Sequence, residues 1–148
     1  MKGMPPALIG GMQINNFTEL IVWQKAMDLL VDVYGITSKY PRSEIFGLTF
    51  QTNKSSVSIP SNIAEGFKRQ RRSLSSYLNH LDIALGSEGE LFTQLTAGGR
   101  LGFVKDKDLE RLLAQLQEIG RMLNGLIISL EPKEQEQLAR RGQQNRNR

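Results

Sequence analysis

The chain contains no cysteine and a single histidine, His80, among its 148 residues. The lack of cysteine excludes disulfides, thiolate catalysis and cysteine-ligated metal sites. A di-iron site of the helical-bundle type needs two Glu-x-x-His units, and Tyr77 stands three residues before His80. Because no nucleophile, base and orienting group can be assembled from these residues, we predict a protein that is not an enzyme and has no cofactor or metal site.

Long apolar runs are also lacking. No run reaches the ~18 residues of a membrane span, and the N-terminus has neither the cationic start nor the uninterrupted apolar core of a secretory signal. The sequence therefore predicts a cytoplasmic protein that does not contact a membrane.

The alternation of apolar and polar residues that is typical of strands is missing, whereas apolar residues recur every three or four positions in four segments. The first predicted helix begins at Asn16 or Thr18 and ends at Tyr40-Pro41, and the second runs from Glu44 to Phe67. The third runs from Ser73 to Gly98-Gly99, and the fourth from Asp106 to Pro132. Short connections favour antiparallel neighbours, so we predict an all-α, up-down four-helix bundle over residues 17–131. Residues 1–16 are expected to form a flexible arm, and residues 132–148 a disordered polar and basic tail.

The apolar face of the first helix is unusually wide. One stripe consists of Leu20, Trp23, Met27, Leu30 and Tyr34, and a second set, Val22, Ala26, Leu29 and Val33, widens it. Such a face predicts contact with more than one neighbour. In the third helix, Gly86 and Gly89 predict a close approach of another helix, within or between subunits, and Glu88 falls on the apolar stripe.

Pro60 interrupts the second helix, because a proline removes one helical hydrogen bond and its ring crowds a carbonyl of the preceding turn. A kink relieves this clash, with Ser56, Ser58 or a water bonding the freed carbonyl. The alternative is a break, with Ser58 capping a second short helix. We favour the kink.

Positive charge is concentrated in two places. The net charge of the chain is +4, and the segment KRQRR at residues 68–72 contributes +4 while the tail at residues 131–148 contributes +2. Helical spacing would place Lys68, Arg71 and Arg72 on one face, and clustered cations suit phosphate contacts. The alternative is an ordinary basic helix end. We predict that Lys68, Arg69, Arg71 and Arg72 bind nucleic acid.

Several other residues have both a functional and a structural interpretation. Trp23 suits base stacking, but its place on an apolar stripe favours core packing. Glu65 is expected to bond a neighbouring helix or subunit rather than to act in catalysis, and His80 to be a partly exposed helical residue. The residues for which structural roles are predicted are Trp23, Pro60, Asn62, Glu65 and Gly66.

Four blocks of the sequence, VWQKA (22–26), SIPSNIAEG (58–66), ELFTQL (90–95) and GRMLNGLIISL (120–130), resemble the 23S rRNA intervening-sequence proteins, a family of four-helix bundles. The accessory variability determinant (Avd) proteins of diversity-generating retroelements are similar in fold. This resemblance implies a small bacterial protein that has no catalytic activity and assembles as a ring-like homopentamer. In the retroelement proteins, the ring binds a reverse transcriptase and its template RNA through basic surface.

The sequence and the resemblance together favour a homo-oligomeric scaffold that binds RNA and a reverse transcriptase. The alternative is a structural or protein-interaction oligomer of the same family that has no nucleic-acid role.

Overall fold

The computed structural model of the protein describes residues 8–9 and 12–147. Four helices form the body of the fold: α1 (Ile21–Thr37), α2 (Leu48–Arg69), α3 (Leu74–Arg100) and α4 (Asp106–Arg146). Short 3-10 turns at Phe17–Glu19 and Arg42–Glu44 precede α1 and α2. Two antiparallel two-residue strands, β1 (Leu8–Ile9) and β2 (Met12–Gln13), lie within the arm at 1–16, where the sequence predicts no regular element. Residues 1–7, 10 and 11 of that arm lie outside the described residues.

Side-chain contacts show that α4 runs opposite to α1 and that α3 runs opposite to α2. Ion pairs join Lys25 to Glu118 and Asp32 to Arg111, so that α4 runs backwards along α1. Between α2 and α3, Ser58 bonds Ser87 in the middle of both helices, and Gly66 near the end of α2 meets residues near the start of α3. Each helix packs against the next, and α4 packs against α1. The all-helical, four-helix architecture predicted from the sequence is confirmed.

The core lies along the axis of the bundle. Leu112, Leu116, Ile119 and Leu123 of α4 are fully buried, as the spacing in that helix predicts. The wide apolar face of α1 contacts both α2 and α4, in agreement with the predicted contact with more than one neighbour. The set Val22, Ala26, Leu29 and Val33 is buried, whereas most of the first stripe lies at the edge of the core or outside it: Trp23, Met27 and Leu30 are half-buried and Tyr34 is 46% exposed.

The helix starts follow local capping chemistry. The Asn16 side chain accepts a hydrogen bond from the Thr18 amide, and Glu19 accepts one from the Asn15 amide. Ser73 caps α3 as predicted, since its hydroxyl accepts a hydrogen bond from the Ser76 amide. α4 begins at the predicted residue, Asp106.

The predicted end of the third helix is wrong. α3 continues through Gly98-Gly99 and ends at Arg100. The chain turns away from the helix at Gly102, whose φ is +78°. The Phe103 amide bonds the Gly98 carbonyl at 2.8 Å and the Gly102 amide bonds the Gly99 carbonyl at 3.1 Å, which is the Schellman pattern. Gly98 and Gly99 instead make room for neighbours, because a Cβ on them would collide with Tyr40 and Leu109 respectively.

The predicted end of the fourth helix is also wrong. α4 includes Pro132 and continues to Arg146, so the segment for which disorder is predicted is helical. The prediction relied on the loss of apolar spacing after Leu130 and on Pro132. Arg148 lies outside the described residues.

α2 passes through Pro60 without interruption, so the alternative of two separate helices is excluded. The bend at Pro60 stays a prediction. The two serines proposed to bond the freed carbonyl are engaged elsewhere, since Ser56 donates to the Asn53 carbonyl and Ser58 bonds Ser87, each at 2.7 Å.

Candidate nucleic-acid interface

The four predicted phosphate-binding residues lie together where α2 turns into α3. Lys68 and Arg69 end α2, and Arg71 and Arg72 lie in the turn that follows. We call residues 68–72 the basic turn. It is closed by hydrogen bonds of 3.0 Å from the Arg72 and Ser73 amides to the Arg69 carbonyl. Because the helix ends at Arg69, the expectation that three of the cations share one helical face is wrong, although all four are exposed.

Only one of the four cations of the basic turn forms an ion pair within the described residues. Arg69 bonds Glu65 at 2.7 Å, one helical turn earlier. Lys68, Arg71 and Arg72 have no carboxylate within 4.0 Å in the described part of the chain. Their charges are therefore uncompensated and available to a ligand.

Glu65 connects the basic turn to α3. Its second carboxylate oxygen lies 3.5 Å from Nε2 of His80, whose Nδ1 lies 2.7 Å from the Ser76 carbonyl. The His80 side chain is only 13% exposed, so the expectation of a partly exposed histidine understates its burial. The carboxylate of Glu65 thus lies between Arg69 and His80, in contact with the neighbouring helix.

Gly66 sets the distance between α2 and α3 beside this cluster. A Cβ built on Gly66 would lie 2.8 Å from both the His80 Cβ and the Tyr77 Cδ2. Tyr77 is 1% exposed, and its ring meets Phe67 edge-on with centroids 6.1 Å apart. Burial raises the pKa of Tyr77 well above its usual range, so this tyrosine stays neutral. The crossing therefore needs glycine.

Asn62 connects the residues on either side of Pro60. Its amide nitrogen donates to the Ser58 carbonyl at 2.9 Å and lies 3.1 Å from the Ser58 hydroxyl. Since Ser58 also bonds Ser87 of α3, these polar contacts join the turn around the proline to the neighbouring helix. Asn62 therefore has a structural role, because its amide bonds the helical turn that precedes it.

The C-terminal part of α4 reaches the basic turn, which the sequence analysis did not foresee. The Gln137 side chain accepts a hydrogen bond from the Leu74 amide at 3.2 Å, and Glu134 accepts one from the Ser75 hydroxyl. Arg141 donates to the Arg72 carbonyl. A signal for this helix does exist, because residues 133–141 consist largely of strong helix formers with a Glu136–Arg140 pair one turn apart.

An apolar groove runs along the outer side of α1 and α2. Phe17, Trp23, Met27, Leu30, Val57, Pro60, Ser61 and Ala64 line a depression of about 320 Å³. Trp23 packs edge-on against Phe17 at 5.4 Å and contacts the core on its other side. It is a half-buried residue of the groove wall rather than a fully buried core residue.

The groove continues into exposed apolar residues at the other end of the bundle. Tyr34, Ile45, Phe50 and Val57 line a second depression, and Phe46 in the adjoining loop is 94% exposed.

On α3, a Cβ built on Gly86 or Gly89 would meet nothing within 4 Å. Among the residues that the structure describes, no other helix approaches these two glycines, so a close approach within the subunit does not explain them.

The half-buried side chain of Glu88 on α3 lies against Gly120 of α4. A Cβ on Gly120 would lie 3.3 Å from its carboxyl carbon, and the residue is half-buried. Desolvation by burial raises the pKa of Glu88. The position of this carboxylate opposite a glycine explains how a charged residue occurs on the apolar stripe.

Neither a metal site nor a membrane-spanning helix occurs among the described residues. No group of three or more His, Cys, Asp or Glu side chains within 8–9 and 12–147 is placed to hold a metal ion. In the same part of the chain, no helix combines the length and apolar character needed to cross a membrane.

Comparisons with known proteins bear on both sequence and fold. No curated protein matches the chain. A solved structure of a protein of unknown function from the S23 ribosomal protein family of Bacteroides thetaiotaomicron is similar, with a TM-score of 0.65 and 24% identity. The match covers 72% of this chain and 95% of that one, which supports the four-helix fold. The model of the 23S rRNA-intervening sequence protein family matches residues 18–125, so the chain belongs to that family.

Proposed function

We propose that the protein is a non-enzymatic, homo-oligomeric scaffold that binds RNA through the basic turn. The observation that carries this proposal is the group of three exposed cations, Lys68, Arg71 and Arg72, that have no carboxylate partner among the described residues. Cations of this kind bind phosphates by displacing condensed counterions, which requires little more than clustered Arg and Lys side chains.

The uncompensated cations also distinguish this turn from an ordinary basic helix end. Elsewhere in the described chain, Lys25 and Arg111 form ion pairs with carboxylates of a neighbouring helix. Other exposed cations, such as Lys105 and Arg121, have no ion pair either, but the basic turn differs because it places three such cations within five residues. A cation near a helix C-terminus gains from the helix dipole, but Arg71 and Arg72 lie beyond the last turn of α2. An anionic partner accounts for their clustering better than helix stability does.

Self-association is supported by apolar surface that one bundle leaves uncovered. Ile21 and Val31 of α1 are 60% and 65% exposed, and α1 and α2 also form the apolar groove. Apolar surface of this kind marks interaction sites. The open face of Gly86 and Gly89 on α3 offers a second, different surface, and two unlike surfaces on each copy generate a ring where the rotation between copies closes. Because the family resemblance implies five copies, we propose a ring-like homopentamer.

A ring strengthens the nucleic-acid proposal. Each copy adds one basic turn, and simultaneous contacts along one RNA raise its overall affinity far above that of a single turn. The predicted similarity to retroelement accessory proteins adds a reverse transcriptase as a partner, and the lack of a long apolar run in the sequence predicts the cytoplasm as the location. Both stay predictions.

Two measurements on the purified full chain test this function. Light scattering during size exclusion is expected to give about five copies per particle, and ultraviolet absorbance is expected to show co-purified nucleic acid that high salt removes. A particle near the chain mass of 16.7 kDa at micromolar concentration would contradict the assembly. An oligomer that carries no nucleic acid and fails to bind added RNA would favour the structural alternative.

A further inference from the structure

We infer that the C-terminal extension of α4 and the basic turn form one composite surface that binds the phosphate backbone of base-paired RNA. The extension comprises residues 131–146. The inference rests on the proposed RNA-binding function and adds to it both a second binding segment and a class of RNA.

Direct contacts hold the two segments together. The extension bonds the start of α3 through Glu134 and Gln137, and the basic turn itself through the bond from Arg141 to the Arg72 carbonyl. These three residues are spaced three and four apart, so they lie along one side of the helix. The side of the extension that faces the bundle is therefore fixed beside the basic turn, and its charges have defined positions.

The charges of the extension are separated along its length. Three carboxylates, Glu131, Glu134 and Glu136, precede Gln137, whereas residues 138–147 contain three arginines and no acidic residue. Arg140 lies 3.9 Å from Glu136, a weak pair between exposed groups. Arg141 and Arg146 have no carboxylate within 4.0 Å in the described chain. The distal half of the extension thus adds uncompensated positive charge to that of the basic turn.

The bond from Arg141 to the backbone carbonyl of Arg72 brings the positive charge of Arg141 to the basic turn. Like charges that lie near one another repel, so the added charge favours an anionic ligand at this place. Among the nearby carboxylates, Glu65 and Glu136 are engaged with Arg69 and Arg140, and Glu134 accepts a hydrogen bond from the Ser75 hydroxyl. A phosphate between the turn and the extension would neutralise the cations where they converge.

The absence of aromatic side chains indicates the class of RNA. Proteins that bind single strands stack the bases on aromatic rings, and neither the basic turn nor residues 131–147 contain one. The nearest aromatic residues, Phe67 and Tyr77, are 8% and 1% exposed. Base-paired RNA is recognised through its backbone and shape, and its bases need no stacking partner. The composite surface therefore fits helical RNA of any sequence.

The match to the family model covers the basic turn but not the extension. It spans residues 18–125 and ends before the extension begins. The proposed binding site therefore combines a segment inside the family match and one outside it.

The test uses the full chain, an RNA duplex of about 20 base pairs and a single strand with the same number of phosphates. In the tail variant, Arg140, Arg141 and Arg146 are replaced by Gln together. The matched control replaces three other exposed cations without ion pairs, Lys105, Lys107 and Arg121, by Gln. Both variants lose the same charge, but only the first loses it from the composite surface.

A fourth protein, Ala139→Pro, keeps every charge and disrupts the placement of the distal arginines, because proline breaks a helix interior. The extension lies outside the core, so the bundle is expected to stay folded in all variants, as helical circular dichroism will verify. We expect the tail variant and Ala139→Pro each to bind the duplex about tenfold more weakly than the parent at about 0.1 M salt. The tail variant is also expected to lower the log–log salt slope by about 2 to 3, and the control to leave it nearly unchanged.

Each other outcome overturns a defined part of the inference. If the tail variant binds like the parent while a basic-turn variant binds weakly, the extension has no role and the proposed function stands. If Ala139→Pro binds like the parent, the tail acts as diffuse charge. Equal weakening by the control shows a general charge effect, and tighter binding of the single strand refutes the class of RNA. If the parent binds neither RNA, the proposed function fails as well.

Discussion

Replacement of Gly66 by alanine tests how α2 and α3 are packed beside the basic turn. The new Cβ would lie 2.8 Å from Tyr77 Cδ2 and His80 Cβ, and 3.2 Å from the Tyr77 carbonyl oxygen. Ordinary contacts begin at 3.4 Å, so the helices must separate by roughly 0.6 Å. The Tyr77 ring cannot swing aside, because it is buried and packed against Phe67.

Two opposing terms set the magnitude. Overpacking of a core contact costs about 1–3 kcal/mol, whereas alanine is better than glycine in a helix interior by about 1 kcal/mol. Gly125→Ala is the matched control, because Gly125 is helical and exposed, with nothing within 4 Å of its added Cβ. The gain in helix propensity cancels between the two variants. The free energy of unfolding should therefore be lower in Gly66→Ala than in Gly125→Ala by about 1–3 kcal/mol.

The assay is urea unfolding followed by far-ultraviolet circular dichroism, at one protein concentration because the stability of an oligomer depends on it. Gly125→Ala should be as stable as the parent or slightly more stable, and Gly66→Ala less stable than Gly125→Ala. If Gly66→Ala equals or exceeds Gly125→Ala in stability, the close approach of α2 and α3 at this point is refuted.

Three further predictions concern the helix interior, the half-buried carboxylate and the apolar groove. Pro60→Ala restores a backbone donor and should leave a folded helical protein with altered subunit contacts. If the variant forms the same oligomer with equal stability, the proline has no role in the geometry of α2 or in assembly. In Glu88→Gln, the desolvated charge is removed. The pKa of Glu88 in the folded protein lies above its ordinary value of 4.5. Below pH 4.5 the carboxyl is therefore protonated and does not lower the free energy of unfolding, and the destabilisation grows as the pH rises through the folded pKa. The Gln variant should thus have a higher urea midpoint than the parent at pH 7 and the same midpoint at about pH 4, and a difference independent of pH would contradict the desolvation. Val57→Glu places a charge in the groove, which should weaken self-association and lower the particle mass in light scattering. Gln51→Glu on the same helix is the control, and an unchanged mass in Val57→Glu would exclude the groove from the interface.

The helices of the bundle were predictable because their apolar spacing is regular. The pattern in α4 identified its buried residues through Leu130, and Ser73 was recognisable as a cap because its hydroxyl bonds an amide three residues away. Such interactions are local in sequence. The existence of all four helices and the starts of α3 and α4 therefore followed from the sequence, whereas α1 and α2 begin later than predicted, at Ile21 and Leu48.

The faces and ends of the helices were harder to predict. On α1 the apolar residues cover so wide an arc that spacing alone does not reveal which side meets the core. Gly98-Gly99 suggested a helix end, whereas these glycines make room for Tyr40 and Leu109 from elsewhere in the fold. Tertiary packing determines both features.

The candidate site was predictable only in part. The cluster of cations at residues 68–72 is visible in the sequence, but the turn that begins after Arg69 changes how the cations are displayed. The contact between Arg72 and Arg141 joins residues 69 positions apart, and no local pattern indicates it. The helical extension was missed because apolar spacing stops at Leu130, although its helix-forming composition was a signal.

The most direct test of the account is the salt dependence of RNA binding by the parent and by a variant in which Lys68, Arg69, Arg71 and Arg72 are all replaced by Gln. For the parent, the logarithm of the binding constant should fall with the logarithm of the salt concentration by about 0.7–0.9 per phosphate neutralised. The variant should bind more weakly, with a slope reduced by about 3, and should remain folded because the basic turn lies outside the core. Equal affinity and an equal slope in the two proteins would show that the basic turn is only a solvated helix end.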